Sequence, residues 1–172
     1  MSFTIRLQSA NFKKLRKLET EPVTGWSLPS FRDLGLSDVE RRAAMALFSR
    51  KGAWRPGVDD RVHLVAPDGT RLEACFPGLY TGGECREGYV SAPAIVRPLL
   101  QLAVELATEI RLILWPDGFP RPLVISEELR RELVVPLPMV QSVFSAAMLW
   151  NLLVPRSTEP PAEVPAPAPP TE

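Results

Sequence analysis

Residues 97–125 read RPLLQLAVELATEIRLILWPDGFPRPLVI, and this stretch decides the fold class. Its first part predicts a helix over residues 97–108, because Pro98 suits the first helical turn, where a missing N–H costs nothing. A single narrow polar stripe, with one residue every four positions, is formed by Arg97, Gln101 and Glu105. Since almost all other residues of the segment are apolar, we expect this helix to be buried on most sides.

The helix runs directly into an apolar strand, and two hairpins with related turns are predicted. Residues 110–115 and 122–125 flank one turn, and residues 61–65 and 71–76 flank the other. Both turns contain Pro-Asp-Gly, in which proline presets its own φ, aspartate hydrogen-bonds locally and glycine supplies a positive φ. Alternating apolar and polar residues over 3–7 add another strand. A buried helix beside these strands predicts an α+β fold, with a mixed or antiparallel sheet of about five strands packed against helices.

Three more helical segments are predicted from local signals. Ser37 and Glu40 have the spacing of a capping box, which predicts a helix that ends near residue 50. Ser126 stands at the N-cap position of a short helix that opens with two glutamates. The apolar segment 138–153 predicts the last helix.

The 172 residues suffice for one domain, which we place at residues 1–155. Residues 156–172 are rich in proline and alanine, with one valine and no aromatic residue. Such a segment cannot bury enough apolar surface to offset the entropy of ordering it. It is therefore predicted to be a disordered tail.

Charge and residue counts exclude several classes of function. Twenty basic residues balance twenty acidic ones, which argues against a dedicated nucleic-acid-binding protein. One histidine and two cysteines outside any CxxC spacing argue against a metal site, and no cofactor motif is present. The N-terminal segment lacks the apolar core of a signal peptide, so a cytoplasmic location with reduced thiols is expected.

No catalytic constellation is evident in the sequence. His63 lies on a predicted strand and is interpreted as structural, and a thiolate pair of His63 with Cys85 is only an alternative. The adjacent carboxylates Asp59 and Asp60 do not have the placement that glycoside hydrolysis requires. We therefore predict no catalytic residues.

The segment 77–92, PGLYTGGECREGYVSA, is predicted to be a long loop that holds both tyrosines of the chain. Loops longer than about 12 residues are uncommon in compact domains and are often functional. Tyrosine and arginine are also the residue types most used at binding hot spots. The candidate partner-binding residues are Tyr80, Glu84, Arg86 and Tyr89; the alternative is a structural connection with the tyrosines packed down.

A second candidate surface lies near the N-terminus, where residues 1–18 carry five positive charges and no negative one. Residues 12–18 are interpreted as a short amphipathic helix or an extended basic segment, and residues 20–36 as irregular. The segment would dock an acidic partner through Lys13, Lys14 and Lys17. The alternative is an ordinary solvated face.

The segment 138–153 leaves three interpretations open. Its apolar length would permit a membrane span, but Pro138 near its start and Gln141, Ser145 and Asn151 inside argue against one. A helix of the core, or one buried in a homodimer, fits the sequence better.

Together these features favour an interaction protein over an enzyme. We expect a bacterial accessory protein that binds one partner protein and neutralises or chaperones it, as a toxin-immunity protein does. The first alternative is a small enzyme that uses the 77–92 loop. The second is a membrane-associated subunit anchored through residues 138–153.

Overall fold

The computed structural model describes residues 2–20, 27–133, 137 and 139–154, with the backbone alone for residues 15–20 and 27–30. It confirms an α+β fold with one mixed sheet packed against helices. The strands are β1 (Phe3–Ser9), β2 (Phe12–Thr20), β3 (Ser27–Asp33), β4 (Arg61–Val65), β5 (Arg71–Cys75), β6 (Glu87–Ala92), β7 (Leu112–Pro116), β8 (Leu123–Val124) and β9 (Gln141–Ser142). The helices are α1 (Asp38–Arg50), α2 (Arg97–Glu109), α3 (Glu127–Leu133) and α4 (Ala146–Leu153).

The main sheet has seven strands in the order β4-β5-β6-β1-β7-β8-β9. Every neighbouring pair is antiparallel except β8 and β9, which run parallel. β1 lies in the middle of the sheet, where it pairs with β6 on one side and β7 on the other. Strands from distant parts of the chain therefore become neighbours on a single surface.

Helices α1, α2 and α4 cover one face of this sheet. Side chains from these helices and from alternate strand positions form one core cluster, which includes Ile5, Leu7, Phe48, Val90, Leu99, Leu106, Leu114 and Leu149. As the polar stripe predicts, Gln101 of α2 is exposed while Leu99, Leu100 and Leu102 are buried. The core therefore lies on the helical side of the sheet.

A smaller cluster lies on the other face, at the β7–β8–β9 end. Here α3 supplies Leu129 and Leu133, which pack with Ile113 and Val124 of the sheet. Ile113 lies between Leu112 and Leu114 of the main core, because successive side chains of a strand point to opposite faces. Thus the first three residues of β7 are buried on both sides of the sheet, while the strands from β4 to β1 carry the main core on one side only.

The predicted starts of α1 and α3 are confirmed. The Ser37 hydroxyl accepts a hydrogen bond from the Glu40 amide at 3.4 Å, and the Glu40 carboxylate accepts one from the Ser37 amide at 2.8 Å. Ser126 accepts a hydrogen bond from the Leu129 amide at 3.2 Å at the start of α3. These caps satisfy amides that the first helical turn leaves without intrahelical partners.

The sheet is larger than the predicted five strands because β6 and β9 join it. The loop prediction for 77–92 is thus wrong over Glu87–Ala92, which forms β6 between β5 and β1. Of the two interpretations of residues 12–18, the extended segment is correct and the helix is not, since β2 pairs with β3 in a separate two-stranded ribbon. That pairing also corrects the irregular assignment over residues 27–33.

The last helix is shorter than predicted. Residues 141 and 142 form β9, and α4 spans only Ala146–Leu153, capped by Ser145, whose hydroxyl accepts a hydrogen bond from the Met148 amide at 3.1 Å. None of the helices in the described ranges has the length and apolar character needed to cross a bilayer. The predicted tail, residues 156–172, lies outside the described residues.

Candidate functional site

The side of the sheet away from the main core is open over β4, β5, β6 and β1. Backbone pairing aligns its side chains in two rows that run across the strands. One row consists of Trp54, His63, Glu73, Ser91 and Thr4. The other consists of Arg61, Cys75, Tyr89, Arg6 and Trp115. We call these ten residues the open face; each of them is exposed or half-buried, whereas their strand neighbours in the core are buried.

The first row begins outside the regular sheet. Trp54 pairs with His63 through two backbone hydrogen bonds of 3.0 and 2.9 Å, so both side chains lie on the same face. Their ring centroids are 5.9 Å apart, and Trp54 is 49% exposed. A large aromatic side chain is therefore held in a fixed position while half of its surface remains open to solvent.

Hydrogen bonds hold two of the aromatic side chains of the open face, Tyr89 and Trp115. The Tyr89 hydroxyl donates to the Glu73 carboxylate at 2.5 Å, and the Trp115 indole N–H donates to the Gln8 side-chain oxygen at 3.2 Å. Partial burial and the hydrogen bond to Glu73 raise the pKa of Tyr89 to about 12, so the phenol stays protonated at neutral pH. Tyr89 thus contributes a neutral ring, and Arg6 beside it contributes an exposed guanidinium.

Beside this sheet, the segment 77–86 is a loop organised by one buried carboxylate. Asp60 accepts hydrogen bonds from the amides of Gly78, Tyr80 and Thr81 at 2.8, 2.7 and 3.0 Å, and from the Thr81 hydroxyl at 2.7 Å. Burial favours a higher pKa for Asp60, but these four donors outweigh it and the net shift is downward. The carboxylate therefore stabilises the loop in its ionised form.

Two arginines complete the attachment of this loop. Arg41 of α1 donates to the carbonyl oxygens of Gly78, at 3.2 Å, and of Gly83. The guanidinium of Arg55 lies 4.4 Å from the centre of the Tyr80 ring, a cation–π contact. The loop is thus tied to α1 and to the segment before β4.

The residues predicted in segment 77–92 fall into two groups. Tyr80 packs half-buried against the main core, while Tyr89 lies on the open face. Glu84 and Arg86 form an ion pair of 2.7 Å on the loop. Tyr80, Glu84 and Arg86 therefore lie on the loop 77–86, and Tyr89 is the one whose place in the sheet makes it part of a larger surface.

The basic residues of the second predicted surface lie on β2. Lys13 and Lys14 are exposed and pair with Arg32 and Phe31 of β3. Lys17 is on the same strand, and its side chain is outside the described residues.

The thiols are placed unfavourably for catalysis. Cys85 is 1% exposed in the main core, where burial raises its pKa to about 11. His63 lies on the opposite side of the sheet, so the geometry does not bring the imidazole to this thiol. Partial burial also raises the pKa of Cys75. Within the described residues, no three potential ligands among His, Cys, Asp and Glu come together to hold a metal ion.

Sequence reasoning missed the open face because its rows exist only after β6 has docked between β5 and β1. Trp54, Arg6 and Trp115 carry no motif, and only their sheet register brings them together. Comparison of the chain with family models, curated proteins and solved structures gave no significant match.

Proposed function

We propose that this chain is a non-enzymatic accessory protein that binds one partner protein through the open face. The observation that carries the proposal is the alignment of two tryptophans, one tyrosine and two arginines on one side of the sheet. Trp, Tyr and Arg dominate the residues whose truncation weakens protein interfaces most. An immunity or chaperone role, in which the partner is neutralised or held, fits such a surface.

The chemistry of the surface suits recognition of a partner with exposed carboxylates. Arg6 and Arg61 are exposed within one row, and a guanidinium can bind a carboxylate through two parallel hydrogen bonds. Between them lies Tyr89, a rigid amphipathic ring of the kind that gains contact area at low entropic cost. Trp54 extends the same surface toward the edge of the sheet.

The alternative of a small enzyme on the 77–92 segment receives less support. The segment's cysteine is buried with a raised pKa, and its described polar groups hold the loop in place. A recognition surface needs rigid side chains in fixed positions, which the sheet provides.

The direct test is capture of the partner with matched variants. Three forms of the protein are immobilised and exposed to lysate of the native host. They are the wild type, the open-face variant Trp54→Ala/Arg6→Ala and the control variant Arg42→Ala/Val58→Ala. Arg42 and Val58 are exposed and lie outside the open face. We expect wild type and control to retain one stoichiometric partner, and the open-face variant to lose it with an unchanged melting temperature.

Two results would contradict the proposal. One is equal capture by the open-face variant, which would place the binding surface elsewhere. The other is the absence of any stoichiometric partner of the wild-type protein. Tyr80→Ala and Arg86→Ala, tested in the same way, would show whether the loop 77–86 belongs to the interface.

A further inference from the structure

A groove of about 760 Å³ lies on a different part of the molecule, between the start of α1, the end of α2 and α3. Its apolar lining includes Phe12, Leu34 and Ile125, and Leu34 is 56% exposed. Large apolar side chains that remain accessible within a groove are typical of a docking site. This surface does not include the open face, so the inference is independent of the proposed function.

The rim of the groove is acidic. Among the side chains that the structure describes, the charged ones lining the groove are Glu40, Glu109, Glu128, Glu132 and Arg111. Arg111 pairs with Glu132, and Arg50 from outside the groove pairs with Glu109 at 2.7 Å. Glu128 is exposed, and none of the cations whose side chains are described lies within ion-pair distance of it.

The chain itself carries a segment of complementary charge. We call residues 12–20 and 27–33, which form the β2–β3 ribbon, the arm. Residues 12–18 include four basic residues and no acidic one, and Lys13 and Lys14 are exposed. The two strands of the arm pair only with each other, outside the seven-stranded sheet. Because a lone two-stranded ribbon is marginally stable in water, such an arm gains stability from a surface to pack on.

The arm begins and ends beside the groove, a position from which it can reach the groove of a second copy. Phe12, the first residue of β2, and Leu34, the residue after β3, both line the groove. The arm therefore leaves the body at the groove's own rim. In a dimer with its two-fold axis beside this point, each arm crosses the groove of the other copy. The same contact then forms twice, as a symmetric dimer requires. Strands of this length extend about 30 Å, enough to cross such a groove.

We propose that two copies of this chain form a homodimer by exchanging arms, with the basic strand β2 of one copy seated against the acidic rim of the other copy's groove.

Charge reversal with complementation tests this arrangement. The arm variant is Lys13→Glu/Lys14→Glu, and the groove variant is Glu128→Lys/Glu132→Lys. Arg42→Glu/Arg71→Glu is the control, because both residues are exposed and lie outside the arm and the groove. Mass in solution is followed against concentration by light scattering and sedimentation, at low and high salt.

We expect dimers for wild type and control, with an affinity that falls as salt rises because the contact includes exposed charges. Each charge-reversed variant alone should dimerise at least about tenfold more weakly, since like charges then face each other. Mixing the two variants should restore a dimer, because each arm then meets a groove of opposite charge. A wild-type protein that stays monomeric would overturn the proposal. An arm variant that dimerises as strongly as wild type would also overturn it. So would a mixture of the two variants that fails to associate although both variants have the wild-type melting temperature.

Discussion

At the scale of single residues, Asp60 illustrates how one carboxylate organises a loop. Three amides and one hydroxyl converge on it, and it is buried. We expect Asp60→Asn to lower the free energy of unfolding by about 3 kcal/mol, because an amide group replaces an oxygen acceptor with a donor that faces other donors. Urea unfolding measures the change. Asp59→Asn is the matched control, since Asp59 is exposed, and it should cost less than about 1 kcal/mol.

The same residue predicts a pH dependence of stability. The folded pKa of Asp60 lies below its ordinary value of 3.8. A carboxylate of this kind stabilises the fold fully above its unfolded pKa, and the contribution is lost as the pH falls through the lower folded pKa. The stability difference between wild type and Asp60→Asn should therefore be constant near neutral pH and shrink below about pH 4. A difference that stays constant into this acidic range would show that ionisation of Asp60 does not stabilise the loop.

Gly88 predicts a steric cost within β6. A Cβ atom at this position would lie 2.4 Å from the Cys75 carbonyl oxygen and 2.6 Å from the Phe76 ring. Gly88→Ala forces β5 and β6 apart and should cost about 2 kcal/mol, measured by thermal unfolding. Gly57→Ala is the control, because a Cβ there meets nothing within 4 Å. Equal melting temperatures for the two variants would mean that the strands adjust without cost.

Neither role could be read from the sequence. Asp59 and Asp60 are chemically identical neighbours, and only the folded loop decides which carboxylate receives the amides. Gly88 resembles a loop glycine, although its function in the fold is to let a strand approach Phe76.

At the scale of elements, short sequence motifs correctly predicted the helix caps and turns, because these depend on contacts between residues close together in the chain. The capping box at Ser37, the cap at Ser126 and the two Pro-Asp-Gly turns act through hydrogen bonds within a few residues, so they are visible in the sequence. β6 contains glycine and alanine and lacks an apolar alternation, so it becomes a strand only because β5 and β1 offer paired edges on both sides. Likewise β9, with two residues, exists through its pairing with β8.

For α2, the predicted face gives a quantitative expectation. Leu102 is 3% exposed and belongs to the main core, while its neighbour Gln101 is exposed. Leu102→Ala should destabilise the protein by about 2–5 kcal/mol, through lost transfer free energy and a residual cavity. Gln101→Ala should change stability by less than about 0.5 kcal/mol. A loss below about 1 kcal/mol for Leu102→Ala in chemical denaturation would contradict the assigned packing.

At the scale of the whole molecule, one sheet separates two kinds of surface. Its helical side carries the main core, and the periodicity of polar residues in α2 predicted which face of that helix is buried there. Its other side is closed by α3 at one end and carries the open face at the other, a division that depends on strand order. Because β1 pairs with β6 and β7, Arg6 lies between Tyr89 and Trp115, which are far from it in the chain. Candidate-site residues such as Tyr89 were therefore found by residue type, while their surroundings required the fold.

The rate at which the buried thiol of Cys85 reacts with an alkylating reagent can show whether the domain unfolds as one cooperative unit. Cys85 lies in the main core, its carbonyl oxygen accepts from the Leu36 amide at 2.7 Å, and Gly35 packs against the same carbonyl. With a pKa of about 11, roughly one thiol in a thousand is ionised at pH 8 even if a reagent could reach it. We expect alkylation of Cys85 in a Cys75→Ala variant to require global unfolding, so that the opening free energy from labelling equals that from urea unfolding. Fast labelling that urea does not accelerate would instead show that the loop 77–86 opens locally, and the Asp60→Asn variant should then label faster still.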